Sequence, residues 1–185
     1  MGSFGSPFYD TPHIDQLAAE GVRFTDAYAA CHVCSPTRAS ILTGKYPATL
    51  NLTDWLNGRS DRPYQVLQNP DKAMVLDPDE TTLAEVLKGE GYATALFGKW
   101  HLGRGTTPTA HGFDLHVPYS VNSNLGRLGF YNPKDIPGLD GGEYVTDRLA
   151  ELAANYIDVN KDNPFLLYMS HFSVPVSYTH LTLPT

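Results

Sequence analysis

Between Gly91 and Gly103 the chain reads Tyr92-Ala93-Thr94-Ala95-Leu96-Phe97-Gly98-Lys99-Trp100-His101-Leu102, an apolar, β-prone run closed by glycine at both ends and followed at once by two basic groups. Residues 92–97 predict a buried strand of the kind found in parallel sheets. If the backbone stays extended beyond it, Lys99 and His101 point to one side while Trp100 packs to the other. In open α/β sheets the space beyond the carboxyl ends of the strands is where ligands bind. The plainer reading of a G-K-x-H by itself is a solvated lysine and a surface histidine in a loop.

Helical and strand-like segments alternate along the rest of the chain, as an α/β domain requires. Thr11-Pro12 caps a helix carrying Ile14, Leu17 and Ala18 and closed by Gly21, after which Val22-Arg23-Phe24 leads into a strand-like stretch toward Tyr28. Residues 57–79 are rich in Asp, Asn, Pro and Arg and predict a long irregular loop over the mouth of a site. Asp54 and Trp55, just before it, can meet a sugar by hydrogen bonding and stacking, or can be a solvated acid and a packed indole. Thr81-Thr82 caps a helix with Leu83, Val86 and Leu87 that feeds the strand before Lys99. From Gly103 to Gly142 no period is sustained. Asp114, His116 and Arg127 in this stretch are candidates for substrate contact or simply polar surface. Helical spacing returns through Val145, Leu149, Leu152, Ala153 and Tyr156, and a last buried strand follows Pro164.

The second informative segment is Cys34-Ser35-Pro36-Thr37-Arg38-Ala39-Ser40-Ile41-Leu42-Thr43-Gly44. Pro36 suits the first turn of a helix, Ser35 reads as its N-cap, and Gly44 stops it. Cys34 then lies at the positive end of the helix dipole, where free N–H groups favour a thiolate, an oxyanion or a bound sulfate. Arg38, one turn on, leans back toward the same mouth. Cys31-His32-Val33-Cys34 is also a C-x-x-C, which serves in redox dithiols and in halves of zinc sites. A zinc site would have to recruit two scattered histidines, because these are the only two cysteines, and no thioredoxin-like unit surrounds the pair. A structural cysteine beside an ordinary helix cap is the third reading.

Together, C-S-P-T-R from Cys34 to Arg38 and G-K-W-H-L-G from Gly98 to Gly103 resemble the two signatures of the type I sulfatases. The resemblance covers nearly all of residues 1–175. It implies an alkaline-phosphatase-like α/β fold with a mixed, mostly parallel sheet flanked by helices, and hydrolysis of sulfate esters. It also implies that Cys34 is oxidised to formylglycine, whose hydrate attacks sulfur and which is also a ligand of the family's Ca2+. Arg38 would hold that hydrate, Lys99 would bind the sulfate oxygens, and His101 would hydrogen-bond the hydrate and assist its collapse. A sulfated serine would be a stable ester, whereas a geminal diol can expel sulfate by losing its second hydroxyl proton. The expected partners are a sulfated carbohydrate or aryl sulfate and a formylglycine-generating maturation enzyme, in a periplasmic or secreted setting. A phosphate or phosphonate monoester hydrolase of the same superfamily and a non-catalytic module that captures sulfated ligands are the alternatives.

The chain also departs from the family pattern. Its opening, Met1 to Asp10, resembles the segment just after the family's first strand and Asp-Asp metal ligands, and the later Asp-Asn ligands and further lysine have no counterpart. Pro175 stands where the histidine of an H-x-P motif is expected, and His171 does not match it by position. Residues 176–185 look like a translated transposon-end sequencing adapter and are set apart from the fold. Residues 1–175 are therefore expected to be one incomplete, inactive catalytic domain with an exposed strand edge. The net charge of −7 argues against wholesale attraction to nucleic acid or anionic membrane. No apolar run approaches the ~20 residues that span a bilayer. Asn51-Leu52-Thr53 fits a glycosylation sequon, a pattern common by chance.

Overall fold

The computed structural model describes residues 1–58, 60–118, 136–138 and 143–172. Arg127, Pro175 and the 176–185 tail lie outside these. Among the described residues four α-helices, α1 (Pro12–Glu20), α2 (Cys34–Thr43), α3 (Leu83–Gly89) and α4 (Val145–Asn160), alternate in part with three strands, β1 (Ala93–Gly98), β2 (Leu115–Val117) and β3 (Phe165–Ser170). The strands form one parallel sheet in the order β2-β1-β3. The α/β class expected from the sequence is the one observed.

β1 is the middle strand, and its pairing follows from its composition. Thr94, Ala95, Leu96 and Phe97 are all buried, which only a strand covered on both faces permits. Alternation along the strand sorts the core into two layers. Leu96 faces a cluster that contains Ala39 and Leu42 of α2, Leu52, Leu56, Leu76, Ala84, Trp100, Leu102 and Phe113. Ala95 and Phe97 face the opposite layer, where Val145, Leu149 and Ala153 of α4 meet Val117 and Ile136. Those α4 residues recur every four positions, the stripe that a helix lays on a sheet. Burying Leu42 contributes about 2 kcal/mol by area, so the helix that carries Cys34 and Arg38 is anchored by apolar contact to the strand that leads to Lys99.

α3 is started by a capping box: the Thr82 hydroxyl accepts from the Glu85 N–H, and the Glu85 carboxylate accepts from the Thr82 N–H. Leu83 and Val86 are about half exposed, and Ala84 is buried in their place. Close packing is the reason, since a Cβ on Gly112 would stand 2.4 Å from the Glu85 nitrogen, so only the small side of the helix fits there. The strand expected toward Tyr28 is not formed either. Val22, Phe24 and Tyr28 are exposed in irregular backbone with no ladder partner among the described residues, and a strand without a neighbour has nothing to bond to. Ile14 and Leu17 of α1 are likewise exposed. Residues 60–79 are irregular, as their composition indicates.

Candidate active site

The site forms where α2 begins and where β1 and β3 end. Cys34 is the first helical residue, with Val33 as N-cap. This corrects the assignment of Ser35 as cap: Ser35 is already inside the first turn and fully buried, and its hydroxyl accepts from the Leu56 N–H instead. Gly44 ends the helix in the left-handed conformation, as expected. Beyond β1 the backbone does not stay extended. Gly98 has φ +112 and His101 has φ +56, a conformation uncommon for a residue with a side chain and one that concentrates at functional sites. The turn nevertheless sends Lys99 and His101 toward Cys34 and Trp100 into the core, where it is 4% exposed.

The four residues singled out from the two motifs converge. Cys34 Sγ lies 3.1 Å from His101 Nδ1, and His101 Nε2 lies 2.5 Å from the Leu56 carbonyl oxygen. A carbonyl only accepts, so Nε2 carries a hydrogen and, in the neutral ring, Nδ1 offers its lone pair to residue 34. Arg38 Nη1 donates to the Lys99 carbonyl at 2.9 Å and to the Ser170 hydroxyl. Lys99 and Cys34 are close enough for each to shift the other's proton affinity. Burial pushes the Cys34 thiol up, but the His101 hydrogen bond and charge, the Lys99 ammonium and the Ser35 N–H outweigh it and bring it down to about 6. Burial lowers both Lys99 and Arg38, and Lys99 is lowered further by Arg38 while Cys34 acts the other way on each. Two cations thus share one half-buried mouth beside residue 34.

Other candidates have scaffold roles. Asp114 accepts from the Thr94 N–H and hydroxyl and pairs with Lys88 at 2.6 Å, which ties α3, β1 and the approach to β2 together. Asp54 pairs with Lys72 at 3.2 Å and caps the Trp55 N–H. His116 sits on β2 in register with Leu96 of β1. Two participants lie outside the motifs, Leu56, whose carbonyl fixes His101, and Ser170, while Ser35, inside the first motif, has another role than the cap expected of it, its hydroxyl holding the Leu56 N–H. Of these only Ser170, at the carboxyl end of β3, stands where the strand-end rule points.

Calcium, which the resemblance implies, takes six to eight oxygen ligands. The residues present offer one sulfur, one imidazole and two cations, and among the described residues no three His, Cys, Asp or Glu side chains converge. These side chains as they stand do not make a site for that ion, and residue 34 would offer it an oxygen only once converted to formylglycine. Nor does any such group exist for zinc among the described residues, and Cys31 and Cys34 are both free thiols.

The sulfatase family model matches residues 1–174. The chain belongs to the sulfatase family. Among similar proteins, arylsulfatase A of Bos taurus is 44% identical over 126 residues, covering 65% of this chain and 23% of that protein. The ulvan-active sulfatase of Formosa agariphila is 33% identical over 199 aligned positions, covering 100% of this chain and 36% of that protein. The solved structure of Ps i-CgsB superposes with a TM-score of 0.66 at 29% identity, covering 94% of this chain and 42% of that one. This sulfatase chain thus spans well under half the length of the relatives it matches. Its α/β sheet is the incomplete counterpart of theirs. Among the described residues no helix is long and apolar enough to cross a membrane.

Proposed function

We propose that this chain supplies the nucleophile and three anion-handling groups of a sulfate ester hydrolase. The observation that carries the reading is the convergence on one sulfur, at the N-terminus of α2, of an imidazole at 3.1 Å and two half-buried cations supplied by α2 and by the turn after β1. Converted to formylglycine, residue 34 supplies a hydrated aldehyde as the nucleophile toward sulfur. Position 34 faces His101 Nδ1, whose lone pair takes a proton from a hydroxyl placed there, because the Leu56 carbonyl holds the hydrogen on Nε2. Lys99 faces the sulfate oxygens and offsets the charge that builds on them, and Arg38 orients the group at position 34. The α2 N-terminus adds its free N–H groups to the same anion.

The substrate class proposed is a sulfated carbohydrate or aryl sulfate, in line with relatives named arylsulfatase A and ulvan-active sulfatase. The working compartment is periplasmic or secreted, and the partner in maturation is an enzyme that converts Cys34. The chain by itself, which spans 23% and 36% of these two relatives, is proposed to be inactive. The test is a parallel assay of sulfate and phosphate esters by the full-length polypeptide that carries this chain, with Cys34→Ala beside it. Turnover of sulfate esters that disappears in Cys34→Ala is expected. Turnover of phosphate esters alone, or full activity of the variant, overturns the assignment.

A further inference from the structure

Arg38 has few holds on its position. Its Nε is buried and finds no partner among the described residues, so the orientation of the guanidinium rests on Nη1, which donates to the Lys99 carbonyl and the Ser170 hydroxyl. That hydroxyl in turn donates to the same Lys99 carbonyl at 3.0 Å, and the Ser170 carbonyl accepts from the Lys99 N–H at 2.7 Å. Ser170 is 6% exposed, and it holds both sides of the Lys99 residue while accepting from Arg38. A hydroxyl suits this place because it has one hydrogen to give and lone pairs to accept with. The backbones are also locked together here, since a Cβ on Gly98 would fall 1.8 Å from the Ser170 oxygen.

We infer that Ser170 is a positioning residue, a clamp at the carboxyl end of β3 that fixes the Arg38 guanidinium and the Lys99 backbone relative to residue 34. The inference rests on the sulfate ester hydrolase reading above, within which Arg38 and Lys99 touch the reacting group and Ser170 acts only through them. Removing the hydroxyl leaves Arg38 with a single acceptor and the Lys99 carbonyl with a single donor. A misplaced guanidinium lowers the rate of the step it orients more than it weakens substrate capture.

The experiment is a set of four variants of the full-length polypeptide: Ser170→Ala, Ser170→Thr, Arg38→Ala and the double Arg38→Ala/Ser170→Ala, assayed on an aryl sulfate. Ser170→Ala should lower kcat by roughly tenfold to a hundredfold, the size of one lost hydrogen bond to a charged group, with KM within about threefold. Ser170→Thr keeps the hydroxyl and should return to within about threefold of the parent. In the Arg38→Ala background, Ser170→Ala should cost clearly less in kcat than it does in the parent, because only its hold on the Lys99 carbonyl is left to lose. Equal loss in kcat and KM, failure of a folded Ser170→Thr to restore the rate, or additive losses in the double variant would overturn the inference. If the parent turns over no sulfate ester, the hydrolase reading fails by itself. The clamp is then decided by urea unfolding of the same four variants, where non-additivity supports it and additivity sinks it.

Discussion

Replacing His101 by Ala in the unconverted chain should raise the pH at which Cys34 ionises. Two effects oppose each other at that sulfur: burial raises its proton affinity, and the groups around it lower it to about 6 from a starting value of 9.0. At pH 7 a thiol at about 6 is roughly 90% thiolate, against about 1% at 9. Intrinsic nucleophilicity falls with basicity, with a coefficient of about 0.4–0.5, so three units cost about 15- to 30-fold in rate per thiolate. The net gain in alkylation rate at pH 7 is then only about three- to sixfold, and rate alone is a weak readout. The midpoint of the pH profile is a strong one. Iodoacetamide labelling from pH 4 to pH 10, quantified on the Cys34 peptide in a Cys31→Ser background, should give a midpoint near 6 that moves up in His101→Ala, since the imidazole heads the groups that lower it. The same depressed value means that the stabilisation from the ionised thiol is present above pH 9 and is lost as the pH falls through about 6. A parent midpoint near 9, or one that His101→Ala leaves in place, would show that the imidazole and the sulfur do not interact as described.

Three further outcomes follow from named contacts. Lys99→Ala in the full-length polypeptide should cost roughly 3 kcal/mol of transition-state stabilisation, on the scale of one lost oxyanion donor, read as kcat/KM on an aryl sulfate. A loss under twofold would remove Lys99 from the site. Gly98→Ala should fold poorly or lose the site, because φ +112 is unsuited to a side chain and its Cβ would overlap the Ser170 carbonyl, and a thermal unfolding midpoint equal to the parent's would contradict this. His111 is wholly buried with neither ring nitrogen bonded among the described residues, and burial lowers its proton affinity despite Glu85 and Asp77. A base lowered in this way stabilises the fold when neutral and loses that contribution as pH falls below about 6.5, so urea midpoints should drop from pH 7 to pH 5, and less steeply in His111→Phe.

What the sequence disclosed and what it withheld divide along sequence distance. The α2 helix with its stop and the β1 strand were legible because each is written in a contiguous run: proline in the first turn, glycine at the stop, an apolar stretch between glycines. Their meeting was legible only through the two motifs together, since 67 residues separate Cys34 from His101. Ser170 lies 132 residues from Arg38 and carries no local mark, and the Leu56 contribution comes from a backbone carbonyl, which any residue supplies. The left-handed His101 could not be read from an extended-chain pattern, because the bend comes from glycine at 98 meeting the backbone of β3. The outward turn of Leu83 and Val86 shows the same limit, where a tertiary close approach overrode helical periodicity.

Mass spectrometry of the Cys34 peptide, from full-length polypeptide that turns over a sulfate ester, tests the central claim most directly. The account predicts an aldehyde at position 34, trapped by a hydrazine, in proportion to activity. A free thiol at that position in fully active protein would contradict it.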